Sequence, residues 1–216
     1  MKVGTDGVLL GAWAAVEGAG SILDIGTGTG LIALMVAQRN EAARVTAVDI
    51  DPASIVDARR NVAASPWQER IEVVECDIAG FSPGSLYDAV VSNPPYFSAA
   101  LQPSDAGRAA ARHTGLLTFD TLLESVDRLL TPDGRFSLVL PVDEGRRFRM
   151  SAEGVLHLVH ITEVWSTPHS GPVRELMEFR RPDFAGAAVA DRLVIDDGSG
   201  YSPGYRSLTE DFYLKF

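Results

Sequence analysis

Residues 21–30 read Ser21-Ile22-Leu23-Asp24-Ile25-Gly26-Thr27-Gly28-Thr29-Gly30. An apolar run of strand length breaks into a turn with glycine at every second position, and Leu31–Arg39 follows with apolar residues on all sides. Strand, glycine turn and buried helix in that order open a βαβ unit, and hence a parallel sheet. Working outward, Arg44–Asp49 is a second strand, and Asp51-Pro52 starts a helix running to about Ala64 with proline near its first turn. Residues 71–76 and Tyr87–Ser92 make the third and fourth strands. A helix over 119–130 ends at a Thr131-Pro132-Asp133-Gly134 turn, which leads into a strand over 135–140. Runs at 157–164 and 175–179 read as two late strands, and residues 198–204 as an exposed loop. One open α/β domain spanning 1–216 accounts for the chain, without repeats or low-complexity segments.

Composition agrees with that class. The 216 residues are 46% hydrophobic and 22% charged, ordinary values for a globular chain long enough to bury one core. Cys76 is the single cysteine, which excludes a disulfide framework and a cysteine-based zinc site and fits a buried, inert thiol. His157, His160 and His169 lack metal-ligand spacing, so no metal is expected. The apolar runs fall well short of a membrane span, and no secretory leader opens the chain, which points to the cytoplasm.

The net charge of −10 works against a nucleic-acid partner, because phosphate binding depends on cations. Distribution changes the picture: residues 1–107 hold 6 basic and 13 acidic side chains, whereas residues 108–181 hold 10 of each. An electropositive face would have to draw on Arg108, Arg112, Arg146, Arg147, Arg149, Arg174, Arg180 and Arg181.

In an open parallel sheet, ligands bind beyond the carboxyl ends of the strands. Asp24, Gly26, Gly28 and Gly30 surround the first such end, where glycines let a ligand approach the backbone. A dinucleotide pattern would need Gly or Ala at position 31, and Leu31 stands there, which disfavours NAD and FAD. Asp49, with Ile50 after it, is placed to accept both hydroxyls of a ribose. Asp77 can meet an adenine amino group with Ile78 beside the ring. Acids and glycines in this order describe an adenosine site with no pyrophosphate, which suits S-adenosylmethionine.

The most specific signal is Asn93-Pro94-Pro95-Tyr96 after the fourth strand, because two prolines end a hydrogen-bond ladder and form a rigid ledge. The Asn93 side-chain oxygen and the Pro94 carbonyl can accept both hydrogens of a planar NH2 group while Tyr96 stacks on its π-system. Asn93, Pro94 and Tyr96 are therefore the candidate catalytic residues for methyl transfer to nitrogen. Positioning would supply most of the acceleration.

With these residues placed, the chain resembles the class I methyltransferases and, within them, the bacterial tRNA1(Val) adenine N6-methyltransferases. The resemblance runs through residues 1–13, Ser65-Pro66-Trp67, residues 108–114 and residues 208–214. It implies a Rossmann-like, seven-stranded, mostly parallel sheet with an antiparallel last strand and helices on both faces. It also implies S-adenosylmethionine as cofactor, S-adenosylhomocysteine as product, and N6-methyladenosine at position 37 of tRNA. Lys2, Gly4 and Thr5 would lie near the methionine end of the cofactor. Relatives carry a short aromatic, lysine-containing segment before the Lys2–Gly7 block, whereas this sequence starts at Met1-Lys2, so that either the start is trimmed or this member lacks the flap. Arg108, Arg112, His113 and Arg174 are the candidate RNA contacts.

Three alternatives remain from the residues alone. A protein-glutamine N5-methyltransferase would use the same ledge but normally carries a separate recognition domain. An rRNA guanine N2-methyltransferase has similar local chemistry. A non-catalytic cofactor-fold binding module would have no use for a nitrogen-positioning ledge.

Overall fold

The structure is a computed structural model and describes residues 4–95 and 117–214. Helix α1 (Thr5–Trp13) precedes β1 (Ser21–Ile25), α2 (Leu31–Arg39), β2 (Arg44–Asp49), α3 (Pro52–Ala63), β3 (Ile71–Glu75) and β4 (Tyr87–Ser92). After the fourth strand come α4 (Phe119–Leu129), β5 (Leu130–Pro141), α5 (Val142–Ala152), β6 (His157–Trp165), β7 (Pro172–Arg180), β8 (Val189–Val194) and α6 (Pro203–Thr209). The strands join one sheet in the order β3-β2-β1-β4-β5-β7-β6-β8. Strand β7 is antiparallel to both β5 and β6, and the other pairings are parallel.

Period-two alternation along the strands sorts the core into two layers. Ile22, Val45, Val91, Val139 and Leu176 face one side with α1 and α2. Leu23, Val48, Val90, Leu138 and Met177 face the other with α4 and α5. On that second side Phe148 stands edge-on to Phe119 and Phe179 at ring distances of 5.2 and 5.5 Å.

The expected count of seven strands is corrected to eight. β8 runs parallel to β6 along the sheet edge, and its side chains from Val189 to Arg192 are exposed. Backbone pairing rather than burial holds it, so it leaves little hydropathy signal. The turn expected at 131–134 is absorbed into β5 as an irregularity: Tyr87 faces Leu130, while Ala89 already faces Arg135.

Helix α1 crosses α2 at very short range. A Cβ on Gly11 would lie 2.6 Å from Met35 Sδ and 2.9 Å from Met35 Cβ, so only glycine fits there without displacing α2. Several arginines are spent on this framework. Arg39 donates to the carbonyls of Gly11 and Ala14 at the end of α1. Arg70 donates to those of Ala37, Asn40 and Ala43 at the end of α2, satisfying carbonyls that a helix leaves unpaired. Asp51 caps α3 through the amides of Ala53 and Ser54, as its position before Pro52 predicts, and the Ser54 hydroxyl followed by these amides holds its carboxyl below the usual range.

Candidate active site

The glycine turn is built on three left-handed residues, with φ of +71° at Gly26, +57° at Gly28 and +81° at Gly30. The amides of Gly26 and Thr27 both donate to the Val48 carbonyl, which hooks the turn over the end of β2. Gly28 N–H donates to Asp49 Oδ2 at 2.8 Å, and Asp51 N–H donates to Asp49 Oδ1 at 2.9 Å. Each carboxylate oxygen offers about two acceptor sites, so Asp49 is oriented by the backbone and still able to take two hydroxyls.

An open cleft of about 210 Å³ lies over this turn. Gly26, Asp49, Ile50, Asp77 and Ile78 line it, as expected from sequence. Its described lining contains two aspartates and no lysine or arginine, which disfavours a pyrophosphate and fits a nucleoside attached to a cation.

The individual placements differ in kind. Ile50 is 44% exposed and Ile78 is buried, so the two can flank a planar ring from opposite states of solvation. Asp77 Oδ1 accepts from the Ala79 amide at 3.0 Å, which fixes its side chain at the head of the third turn. Gly30, expected in the cofactor lining, is instead buried with its would-be Cβ 3.5 Å from Ala58, and its glycine serves the junction between turn and α2. Asp24 also stands behind the cleft. Its Oδ2 accepts from Thr27 Oγ1 at 2.6 Å and from Ala33 N–H at 3.1 Å, while Oδ1 is buried without a partner. Burial raises its carboxyl to about 7; the Thr27 and Ala33 bonds oppose the rise and the Asp49 charge adds to it.

Sequence reasoning missed the wall opposite the turn. Leu117 and Thr121 supply it from the start of α4, which Thr118 caps through the Thr121 amide. The Thr-x-x-Thr spacing before an apolar run was the available signal. Cys76 also lines the cleft rather than lying wholly inside, and burial followed by the Asp77 charge pushes its thiol up, away from the thiolate.

Asn93 follows directly on β4. Ser92, facing Ile25 in the ladder, donates its hydroxyl to the Ile25 carbonyl at 2.9 Å, which pins the end of β4 beside the glycine turn. Asn93 Oδ1 is buried and has no hydrogen-bond partner among the described residues, an unused acceptor at the position where sequence predicts one for an amine. Pro94 is buried and Pro95 exposed.

Gly4 and Thr5 are exposed at the start of α1. The neighbouring Asp6 accepts from Arg174 Nε at 2.8 Å, which ties that start to the beginning of β7, beside the carboxyl end of β5. Arg174, expected to contact RNA, therefore has an anchoring task within the fold. Lys2, Tyr96, Arg108, Arg112 and His113 lie outside the described residues. Among the described residues no group of three or more His, Cys, Asp or Glu side chains is gathered as a metal site would need. No described helix is long and apolar enough to cross a membrane.

Known proteins can be set beside this geometry. Residues 7–153 match the methyltransferase small domain. The chain is 51% identical to a tRNA1(Val) (adenine(37)-N6)-methyltransferase of Phocaeicola vulgatus over 99% of its own length and 91% of that protein. It is 43% identical to the Aliivibrio fischeri protein of the same description, with the same coverage. In fold it resembles a predicted O-methyltransferase from Agrobacterium tumefaciens, with a TM-score of 0.75 at 21% identity, covering 95% of this chain and 96% of that one.

Proposed function

Because the chain belongs to the tRNA1(Val) (adenine(37)-N6)-methyltransferase family, we propose that it methylates the exocyclic N6 of adenine 37 in tRNA1(Val), in the cytoplasm. It is an S-adenosylmethionine-dependent enzyme, and the cleft residues fit that cofactor: an oriented Asp49 for the ribose, Asp77 and Ile78 for the adenine, and among the described lining no basic side chain for a pyrophosphate. When bound, S-adenosylmethionine supplies an electrophilic methyl on a sulfonium. The chain's own residues do the rest by positioning.

The observation that carries the reading is the buried Asn93 Oδ1 at the end of β4, which has no partner among the described residues. An amine N–H pointed at that oxygen is held in one orientation, and the acceptor bond strengthens as the nitrogen gains positive charge. The Pro94 carbonyl is the second acceptor in this reading and Tyr96 the stacking surface. No base need act first, since the alkylated nitrogen becomes acidic and gives up its proton afterwards. A base beside the anticodon is in a single-stranded loop, so turning it into a pocket costs less than from a duplex. Arg108, Arg112, His113 and Arg174 are assigned to RNA in this reading, with Arg174 also holding Asp6. A glutamine or guanine acceptor would use the same ledge, and the named relatives favour adenine.

Nucleoside mass spectrometry of tRNA from cells with and without the gene tests the assignment. N6-methyladenosine in tRNA1(Val) should require the gene. Its presence in the gene's absence, or a methylated guanine in its place, would refute the assignment.

A further inference from the structure

The glycine turn covers a titratable group that the positioning scheme above leaves unused. Asp24 is wholly buried, and one of its carboxylate oxygens has no partner among the described residues. A buried ionised oxygen without a donor is costly, so the group must be neutral or must find a positive charge. The described surroundings supply none. Thr27 and the Ala33 amide serve the other oxygen. From β2 the titratable neighbour is Asp49, a like charge. At this level β4 presents Val91 and Ser92, and β2 presents Ala47. Helix α1 carries Asp6 as its titratable group, already tied to Arg174. No described salt bridge reaches Asp24.

We propose that Asp24, lying beneath the turn that receives the cofactor, gives up a proton to solvent when the cationic cofactor binds and takes one back when the uncharged thioether product replaces it. Asp24 is then a specificity-determining residue that distinguishes the two by charge. The inference rests on the cofactor reading of the cleft. The proton balance is closed. Neutral Asp24 plus cofactor gives the carboxylate, the bound cation and one proton in solution; loss of the sulfonium reverses it. Because Asp24 stands near neutrality in the free protein, the exchange falls in the ordinary working range.

The test is calorimetry at pH 6 in two buffers of different ionisation enthalpy, using three ligands on the whole protein. S-adenosylmethionine has a sulfonium and an ammonium, S-adenosylhomocysteine only the ammonium, and 5′-methylthioadenosine neither. At that pH the amino groups of the first two are both protonated, so their difference isolates the sulfonium. S-adenosylmethionine should release up to about one proton more than S-adenosylhomocysteine, and 5′-methylthioadenosine should release none. Asp24→Asn should abolish the difference between the first two while still binding both. Equal release from all three ligands, or a difference that persists in Asp24→Asn, overturns the proposal. The wild-type series decides it even if the variant fails to fold. Failure of S-adenosylmethionine to bind at all would instead remove the cofactor reading on which it rests.

Discussion

The carboxyl ends of β1, β2 and β3 handle their polar side chains differently from those of β4 and β5. On the first side Asp49 and Asp77, which line the cleft, are held by backbone amides, whereas Asp24 lies beneath it, bound through one oxygen to Thr27 and Ala33 and open at the other. On the second, Asn93 keeps a buried oxygen open. The difference follows from what each side must do. A cofactor site gains from acceptors already oriented before the ligand arrives, because less ordering remains to be done on binding. A transition-state acceptor is most useful if its best bond is formed only as charge develops. The two sides should therefore fail differently when mutated.

The largest separation is expected at Asn93. Asn93→Ala should slow single-turnover methyl transfer to unmodified tRNA by about 100-fold or more, the scale of losing one charge-stabilising hydrogen bond. Cofactor affinity should stay close to wild type. A near wild-type rate would break the comparison at its centre.

Asp49 should show the reverse pattern. Asp49→Ala removes the ribose acceptor and also strands the Gly28 amide, and should weaken binding of S-adenosylhomocysteine by about 1–3 kcal/mol. Rate at saturating cofactor should fall much less. Calorimetry with NAD as the control separates this from a general loss of the turn, and tighter binding of NAD than of S-adenosylhomocysteine would reject the nucleoside site.

How far these assignments were legible in sequence depends on whether a residue acts through its type or its neighbours. The turn, Asp49 and the Asn93-Pro94 ledge are type and spacing, and the strands and helices around them have the bounds expected within a residue or two. Three things were hidden. Strand β8 carries no buried alternation. Gly145 looks like a helix defect, yet a Cβ there would lie 2.1 Å from Glu175 Oε2, 30 positions away in sequence. Arg174 reads as one more surface cation until the fold brings it to Asp6.

Glu175 supplies a test of the second side's supporting layer. It is buried on β7 against α5 and is paired with Arg149. Burial raises its carboxyl above the usual range, and the Arg149 bond and charge oppose that rise. Arg149→Met leaves the carboxylate unpaired. Complete burial of such a pair would put the loss at 3–5 kcal/mol, but Arg149 is 27% exposed, so about 2 kcal/mol is expected. The sign with pH follows from the direction of the shift. Without Arg149 the folded-state carboxyl rises further, the folded protein binds a proton that the unfolded chain does not, and stability falls as pH rises through that window. The deficit against wild type should thus be large in mild alkali and shrink in mild acid, read from urea unfolding. Equal deficits at both would show that lost packing, not the stranded charge, is responsible.

The smallest effect is expected farthest from the cleft, at the β8 edge. Arg192 stacks its guanidinium 3.9 Å from the Trp165 ring centre and donates to the Pro168 carbonyl at 2.7 Å, fastening the edge strand to the turn after β6. Both contacts face solvent, where a cation–π pair contributes about 0.5–1 kcal/mol. Arg192→Ala should therefore lower stability by about that amount and loosen β8 without touching cofactor affinity or transfer rate. Its value lies in locating the RNA. Arg174 is engaged with Asp6, so the cations that meet tRNA must be sought elsewhere as well, and an exposed arginine on a half-buried tryptophan is a chemically competent surface for an unstacked base. If Arg192→Ala also weakened tRNA binding and reduced its salt dependence, the RNA face would extend from the end of β4 across the sheet to β8. With unchanged tRNA affinity, β8 is a structural edge, and the RNA contacts are confined to the side of the molecule that carries Asn93.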